Sequence, residues 1–390
     1  MHNYAYIANV VFLCFHSARE LLYICFTWTC KLSLHRTSVS SKQPKSTKKV
    51  LDVTMTHERK VVDEVSGWLR VYDDGSVDRT WVGPQEAKFI VDPVPSHENF
   101  VDGVAVRDVD PINGPRVRVY MPESSFEEGS GDYKLPIILH LHGGGFCVTQ
   151  PDWFMYYSVY SKLAQVAQAI VVSVYLRRGP EDRLPAPVDD GYAALLWLTS
   201  LARTEVHDPW LSSKADFGRV FLIGDSSGTT LVHEVASRAG KTDLSPINLA
   251  GAIPLHPGVT RSTRSRSELE MPQTPFLTLD MVDKFLSLAL PIGSNKDHPI
   301  ICPMGEAAPP LSELKLPPIM YCVADKDLLI DTQMEFYEAL RKAGKEVELF
   351  TSYNMTHCFY LNKLAVDHDP DTKVQTEKLF DGIVDFIKRH

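Results

Sequence analysis

The sequence predicts an α/β fold with a mostly parallel central sheet and helices on both of its faces. Apolar runs of strand length alternate along the chain with amphipathic segments of helical length. A near-continuous apolar run is typical of a strand that is buried on both faces, as in a parallel sheet. The chain has 390 residues, of which 44% are hydrophobic and 23% charged, so it is long enough to bury a large core.

Residues 1–54 differ from the rest in composition and are interpreted as an N-terminal extension. They carry seven Lys or Arg against two Asp or Glu, whereas the whole chain has a formal net charge of −9. Neither a membrane span of roughly 20 apolar residues nor a secretory signal with a basic start fits them well. An extension upstream of an alternative start at Met55, a membrane anchor and a targeting segment remain open. Membrane contact is expected only if residues 1–30 are retained.

Residues 55–390 are predicted to form a single domain. Residues 57–69 have helical spacing, and residues 69–82 indicate two short strands around an Asp-Gly turn. Residues 104–110 and 116–122 indicate an antiparallel pair. Buried strands are predicted at 135–142, 169–176, 219–224, 249–257 and 317–324. Helices are predicted at 156–169, 188–202, 227–240, 281–291, 331–344 and 374–390.

A serine nucleophile is predicted at Ser226. It is the centre of Gly224-Asp225-Ser226-Ser227-Gly228, a GxSxG pattern between a predicted buried strand and a predicted helix. The two glycines permit a sharp turn that lifts the serine above the sheet. The positive end of the following helix points at the place where an oxyanion would form, and Ser227 would supply one backbone N–H donor.

An oxyanion hole is predicted at Gly143, Gly144 and Gly145, which follow His142 at the end of an earlier strand. Three consecutive glycines also fit a flexible turn or a phosphate cradle, but the Gly-Lys-Ser/Thr of a P-loop is missing. Without side chains in the way, the N–H groups of Gly144 and Gly145 can converge on one carbonyl oxygen. HGGG ahead of GxSxG is much rarer than either pattern alone, so the combination is specific.

His357 is predicted to be the general base, because it lies in a loop after a predicted strand and completes the chain order Ser, acid, His. The orienting acid is Asp325 or Asp327, and the spacing alone leaves both open. Asp331 directly precedes a helical segment and is expected to be its N-cap.

The other titratable residues indicate no metal, cofactor or nucleic-acid chemistry. His233 and His256 are expected to be structural. The seven cysteines lack the spacing of zinc ligands, so we expect free thiols in a reducing compartment and a cytoplasmic location. Cys358, beside His357, is expected to be a small buried residue. An acidic body without a basic stripe argues against nucleic acid as a partner.

Five ordered motifs carry a resemblance to a known family: HGGGF (142–146), PEDRLPAP (180–187), GDSSG (224–228), DLLID (327–331) and HCFY (357–360). With them, residues 55–390 resemble the plant carboxylesterases. These form the hormone-sensitive-lipase-like branch of the α/β-hydrolases, which also contains gibberellin receptors and 2-hydroxyisoflavanone dehydratases. The resemblance implies the α/β-hydrolase fold, Asp327 as the acid, and a lid over the acyl pocket to which residues 55–80 contribute.

The resemblance also shows which features of this chain are unusual. The hormone receptors lack the histidine found here as His357, and the dehydratases commonly carry threonine where this chain has Ser226. Both features favour hydrolysis. The chain has Tyr175 at the first position of the family's usual Asp-Tyr-Arg, and Thr229-Thr230 where Gly or Ala followed by Asn is usual. These changes concern the shape of the pocket and the substrate more than the chemistry.

The sequence therefore predicts a serine carboxylesterase that hydrolyses small carboxylic esters through an acyl-enzyme, with no metal or organic cofactor. The predicted triad is Ser226, Asp327 and His357, and its partner is a small-molecule ester. The alternatives are a non-catalytic, hormone-like receptor and a dehydratase or lyase on the same site. Pocket residues are expected from the N-terminal segment, from 260–300 and from 146–158, notably Trp153, Phe154 and Tyr157. Trp153 and Phe154 fit a lid core equally well.

Overall fold

The computed structural model describes residues 59–126 and 134–390. The predictions for residues 1–54 and for a start at Met55 lie outside these residues. The strands are β1 (Val61–Val65), β2 (Leu69–Tyr72), β3 (Val77–Asp78), β4 (His97–Val101), β5 (Val104–Val109), β6 (Val117–Pro122), β7 (Leu135–Leu141), β8 (Ile170–Val174), β9 (Ala215–Asp225), β10 (Leu249–Leu255), β11 (Ile319–Ala324) and β12 (Val347–Ser352). The α-helices are α1 (Phe154–Ala167), α2 (Ala186–Ala202), α3 (Leu211–Lys214), α4 (Gly228–Ala239), α5 (Arg266–Glu270), α6 (Leu279–Ala289), α7 (Ile330–Lys342), α8 (Lys363–His368) and α9 (Pro370–Arg389).

A large, mostly parallel sheet forms the centre of the fold. Within the described residues, nine strands pair in the order β12-β11-β10-β9-β7-β8-β6-β5-β4. The pairs from β8 through β7 to β12 are parallel, whereas β6, β5 and β4 are added antiparallel. Every residue of β6, β7 and β11 is buried, as expected for strands covered on both faces. The predicted fold class is confirmed.

The helices pack on this sheet through apolar faces. Helix α4 contacts β9 and β10, α1 contacts β6, and α9 contacts β12. Helix α9 begins after Asp369, whose carboxylate accepts a hydrogen bond from the N–H of Thr372, and Pro370 occupies its first turn. Its buried side chains recur three or four residues apart, as on one helix face. No helix in residues 59–126 or 134–390 has the length and hydrophobicity of a membrane span.

The helix expected at residues 57–69 is not formed, and this prediction was wrong. The two strands predicted in residues 69–82 are formed, as β2 and β3. Residues 61–65 are strand β1, which pairs antiparallel with β2 and completes a separate three-stranded sheet. The tight turn between β1 and β2 has Gly67 at φ 79°, and the N–H of Trp68 donates to the carbonyl of Val65 at 2.9 Å. Cross-strand pairing and the glycine turn outweigh the weak helical spacing.

Four parallel strands end at the same edge of the large sheet and lead into the loops that carry the candidate site residues. β7 leads to Gly143–Gly145, β9 to Ser226, β11 to Asp327, and β12 to the loop with His357. Ligand sites of open α/β sheets lie at this carboxyl edge. The topology alone therefore brings together segments that are far apart in the chain.

Candidate active site

Ser226 sits at the tip of a tight turn between β9 and α4. Its φ is 50°, a left-handed conformation that costs a residue with a side chain about 1–2 kcal/mol. Two neighbours must be glycine for the turn to form. A Cβ atom on Gly228 would lie 2.0 Å from the carbonyl oxygen of Leu141, and one on Gly224 would lie 2.6 Å from the carbonyl oxygen of Gly228. The close packing of β7, β9 and α4 thus explains the GxSxG spacing.

His357 lies between the serine and a carboxylate. Its Nε2 is 2.9 Å from the Oγ of Ser226, and its Nδ1 is 2.7 Å from an Oδ of Asp327. Asp327 is fully buried, and His357 is only 7% exposed. The carboxylate therefore fixes the tautomer in which Nδ1 carries the proton and Nε2 is free to accept the serine proton.

The structure distinguishes between the two carboxylates that the sequence left open. Asp327 contacts His357, whereas one side-chain oxygen of Asp325 is buried without a hydrogen-bond partner in the described residues. The N-cap prediction for Asp331 was wrong. Helix α7 begins at Ile330, so Asp331 lies in its first turn, where its carboxylate accepts from the N–H of Ser267 at 2.7 Å.

The carboxylate of Asp327 has two further donors that sequence analysis missed. The Nε2 of Gln333 donates to the same oxygen that His357 contacts, at 2.8 Å, and the N–H of Leu329 donates to the other oxygen at 2.9 Å. Gln333 belongs to the buried face of α7. No motif marks this glutamine, because helical periodicity predicts which face is buried but not what that face touches.

The buried pair His357 and Asp327 favours its charged form. Burial lowers the pKa of His357, but the carboxylate of Asp327 outweighs this effect and holds the pKa well above the usual 6.5. Burial likewise raises the pKa of Asp327, yet the charge and hydrogen bond of His357 bring it below the usual 3.8. Because the carboxylate stays ionised, it can stabilise the imidazolium that forms when His357 takes up a proton.

Three residues that line the cavity above Ser226 have unpaired backbone N–H groups. Gly144 and Gly145 have φ values of 81° and 60°, which a glycine adopts without strain. Their N–H groups and that of Ser227 make no hydrogen bond within residues 59–126 and 134–390, and all three residues line the cavity. Unpaired donors in the wall of the cavity are available to a developing oxyanion.

Gly143, which the sequence analysis included in the oxyanion hole, does not have a free donor. Its N–H already donates to the hydroxyl of Tyr156 at 3.1 Å and to a carboxylate oxygen of Asp225 at 3.2 Å. A Cβ atom at this position would lie 2.4 Å from that carboxylate and 3.1 Å from the Cβ of Ser226. Gly143 is therefore required for packing against the serine turn, and the donors named from the sequence, Gly144, Gly145 and Ser227, stay a prediction.

A network of buried hydrogen bonds connects the HGGG loop to the turn that carries Ser226. The hydroxyl of Tyr156 donates to one carboxylate oxygen of Asp225 at 3.0 Å, and His140 lies 3.3 Å from the other oxygen. Thr149 donates to the carbonyl of Gly143 at 2.9 Å. These contacts join the HGGG loop to the residue before Ser226, so the two predicted motifs are parts of one packed unit.

The cavity above Ser226 has a volume of about 840 Å³, including its opening to solvent. Most of the side chains that line it are aliphatic or aromatic. Trp68, from the segment expected to form a lid, is part of this wall. The remaining apolar lining comes mainly from two regions of the chain, as expected for 146–158 and 260–300: Phe146, Val148, Met155, Phe276, Leu277, Val282, Phe285 and Leu286.

The aromatic residues singled out in the sequence do not line this cavity. Trp153 instead stacks on Trp68 at 6.4 Å between ring centroids, and Phe154 and Tyr157 line a separate surface groove. Cys358 is half-buried and does line the cavity, so it is more accessible than expected. Burial nevertheless raises the pKa of its thiol, which keeps it in the weakly reactive protonated form.

The remaining histidines near the site are buried and neutral. Burial lowers the pKa values of His142 and His256 to about 3. In the part of the chain that the structure describes, no group of three or more His, Cys, Asp or Glu is arranged to hold a metal ion.

The fold agrees with the comparison to known proteins. A family model described as the alpha/beta hydrolase fold matches residues 138–361, which include the HGGG loop, Ser226, Asp327 and His357. The chain belongs to the α/β-hydrolase family. Within this family it is similar to proteins with different activities.

Three relatives show this range. The protein named Probable carboxylesterase 6 of Arabidopsis thaliana is 34% identical over 291 residues, which cover 74% of this chain and 82% of the relative. A gibberellin receptor of the same plant is 36% identical over 287 residues, covering 70% and 80%. A 2-hydroxyisoflavanone dehydratase of Glycyrrhiza echinata is 33% identical over 331 residues, covering 82% and 96%. The resemblance predicted from the five motifs is confirmed.

Solved structures of α/β-hydrolases share the fold. Carboxyl esterase 2 of the mycorrhizal fungus Tuber melanosporum superimposes with a TM-score of 0.60 at 21% identity, covering 75% of this chain and 90% of the other. The chain is thus a carboxylesterase-like member of the α/β-hydrolase family.

Proposed function

We propose that this protein is a serine carboxylesterase that hydrolyses uncharged carboxylic esters through an acyl-enzyme. The observation that carries the proposal is the continuous hydrogen-bonded line from the Oγ of Ser226 through His357 to Asp327, with distances of 2.9 and 2.7 Å. The free N–H groups of Gly144, Gly145 and Ser227 lie beside it. A nucleophile, a base, an orienting acid and an anion site at one point are the requirements of acyl transfer.

Acylation begins when the Oγ of Ser226 bonds to the ester carbonyl carbon and its proton passes to the Nε2 of His357. The carbonyl oxygen becomes an oxyanion that accepts hydrogen bonds from Gly144, Gly145 and Ser227. Each such donor contributes about 2.7–4 kcal/mol to transition-state stability. The tetrahedral intermediate then collapses, the ester C–O bond breaks, and His357 returns the proton to the departing alcohol.

Deacylation repeats these steps with water. His357 takes a proton from a water molecule, whose oxygen bonds to the acyl carbon. The second intermediate collapses by breaking its bond to the Oγ of Ser226, which receives the proton from His357. The carboxylic acid leaves and the free serine is restored.

The lining of the cavity favours uncharged esters. No Lys or Arg is among the described residues that line it, and the titratable groups there are Asp225, His357, Tyr156 and Cys358. A carboxylate on the bound part of the substrate would lose its hydration without gaining an ion-pair partner. Apolar acyl or alcohol groups instead gain contact with the aromatic and aliphatic wall.

Turnover of p-nitrophenyl butyrate tests the proposal. We expect Ser226→Ala to lower kcat by about 10⁶-fold, as in other serine hydrolases that lose the nucleophile. Ser237 is a matched control, because it is a buried serine of the adjacent helix α4 whose hydroxyl bonds to the carbonyl of His233. We expect Ser237→Ala to retain turnover. Equal rates for the wild type and Ser226→Ala would refute the proposal.

The receptor among the relatives defines the competing outcome. A binding protein with an idle triad would show ligand-stabilised thermal unfolding without turnover, and Ser226→Ala would bind as well as the wild type. A fluorophosphonate label followed by peptide mapping separates the cases, because only an activated serine forms the covalent phosphonate. We expect the label on Ser226 in the wild type and no label in Ser226→Ala.

A further inference from the structure

The loop after β10 contacts both halves of the proposed catalytic machinery. We call residues 255–258, which are the last residue of β10 and the start of the loop after it, the bridging loop. On one side, the N–H of Ser226 donates to the carbonyl of Leu255 at 3.0 Å, and the N–H of Gly258 donates to the carbonyl of Ser226 at 2.9 Å. On the other side, the loop carries His256, which packs against the segment that contains His357. This position allows the loop to set the distance between serine and base.

Thr229 fastens the nucleophile turn to the bridging loop. Its hydroxyl donates to the carbonyl of Ser226 at 2.6 Å and accepts from the N–H of Gly258 at 3.2 Å. The side chain is only 3% exposed. The plant carboxylesterases that this chain resembles usually have Gly or Ala at this position. Neither residue has a hydroxyl, so the hydrogen bonds of Thr229 are a feature of this chain. They secure the backbone of a residue that is held in a left-handed conformation.

His256 attaches the bridging loop to the segment that contains His357. Its Nδ1 accepts a hydrogen bond of 2.7 Å from the N–H of Cys358, the residue after His357, and its ring stacks on Phe359 with 5.5 Å between centroids. The imidazole is fully buried. It stays neutral, since burial lowers its pKa to about 3, and so it can accept this bond throughout the pH range in which the base works. Cys358 has a φ of 48°, so this bond also holds a strained residue.

We propose that Thr229 and His256 are positioning residues that hold Ser226 and His357 at hydrogen-bonding distance through the bridging loop. The proposal rests on the esterase function proposed above. Neither side chain lines the cavity above Ser226, so neither has a direct route to substrate binding. Their removal displaces the serine and the base relative to each other, and a displacement of about 1 Å at a reacting group can lower the rate by about 10²-fold.

The first test replaces Thr229. Thr229→Val keeps the shape and removes the hydroxyl, whereas Thr229→Ser keeps the hydroxyl. We expect Thr229→Val to lower kcat for p-nitrophenyl butyrate by about 10- to 100-fold with little change in KM, and Thr229→Ser to restore most of the activity. Thr199→Val is the matched control, because Thr199 is equally buried and its hydroxyl bonds to the carbonyl of Leu195 within α2.

The second test replaces His256. His256→Asn keeps an acceptor near the position of Nδ1, and His256→Leu removes it. We expect a larger loss of kcat in His256→Leu than in His256→Asn, again at nearly constant KM. Because both side chains act through one loop, the double variant Thr229→Val/His256→Leu should lose less than the product of the two single losses. The rate of fluorophosphonate labelling should fall in parallel with kcat.

The outcomes separate this proposal from the proposed function. A wild type that neither turns over esters nor reacts with fluorophosphonate would refute the esterase function. An active wild type with Thr229→Val and His256→Leu as active as Thr199→Val would overturn the positioning roles alone. A lower unfolding temperature with unchanged kcat, or a rise in KM instead of a fall in kcat, would overturn them as well, because it indicates a structural or a binding role.

Discussion

The carboxyl edge of the large sheet and the small sheet β1–β3 both contribute to the cavity, but they are held in place differently. Ser226, His357 and Asp327 are joined by buried hydrogen bonds, and each follows a strand of the large sheet. The small sheet reaches the cavity with the ring of Trp68, which packs on other aromatic rings. The reacting groups thus follow strands of the large sheet, whereas part of the substrate wall comes from the small sheet, a layer with no strand pairing to the large one within the described residues.

The small sheet is held in place by Arg79, which directly follows β3. The Nε of Arg79 donates to the carbonyl of Cys147 at 2.6 Å, and the guanidinium also contacts the carbonyl of Gly179 and pairs with Glu181 at 2.6 Å. The difference predicts two kinds of variant. Changes at the sheet edge should act on kcat, and changes in the small sheet should act on KM.

The largest effect is expected at the sheet edge from Asp327→Asn, which should lower kcat by about 10⁴-fold because the tautomer of His357 is no longer fixed.

The pH dependence of kcat/KM should also shift in Asp327→Asn. His357 acts as a base only when it is unprotonated, so kcat/KM rises with pH through its pKa. Without the carboxylate, burial still lowers that pKa, and the rising limb moves to lower pH. Asp325→Asn is the control, and an equal loss there would show that the acid is misassigned.

A smaller effect, on KM rather than on kcat, is expected from Trp68→Ala. The lost apolar contact should raise KM for p-nitrophenyl butyrate about tenfold, equivalent to about 1.4 kcal/mol, with kcat changed much less. Trp197→Ala is the control, because Trp197 is equally buried but does not line the cavity. A fall in kcat at constant KM for Trp68→Ala would break the division between the two regions.

The smallest effect is expected from Arg79→Ala, which loosens the small sheet without removing any cavity wall. We expect a rise in KM of about threefold and a loss of about 1 kcal/mol in the free energy of unfolding. Arg203→Ala tests specificity, because Arg203 also donates to backbone carbonyls, those of Ser245 and Asp243. A KM change in Arg203→Ala as large as in Arg79→Ala would show that the effect is not local.

The sequence was informative where strand order determines position. Ser226, Asp327, His357 and the HGGG loop each follow a predicted strand, and parallel strands end at one edge, so their proximity could be expected before the structure was known. Asp325 and Asp327 could not be separated by spacing, because a difference of two residues in a loop says little about the direction of a side chain. The resemblance to a family was needed there.

Other features depend on contacts between elements that no local pattern records. Gln333 and Tyr156 lie on helices whose periodicity predicts burial alone, and the bond from Gly143 to Asp225 depends on how closely β7 and β9 pack. The strand at residues 61–65 was mistaken for part of a helix, because a few apolar residues in a short segment fit either period. Trp153 was a candidate for the pocket wall, but its ring stacks on that of Trp68 and does not line the cavity.

The place of Trp68 in the chain has an evolutionary consequence. The three short strands of its sheet precede residues 138–361, the range that the family model matches. Substitutions at Trp68 change the wall of the cavity without touching Ser226, Asp327 or His357. If the chain is the proposed esterase, its preference for acyl or alcohol groups can therefore change in few substitutions while Ser226, Asp327 and His357 stay as they are.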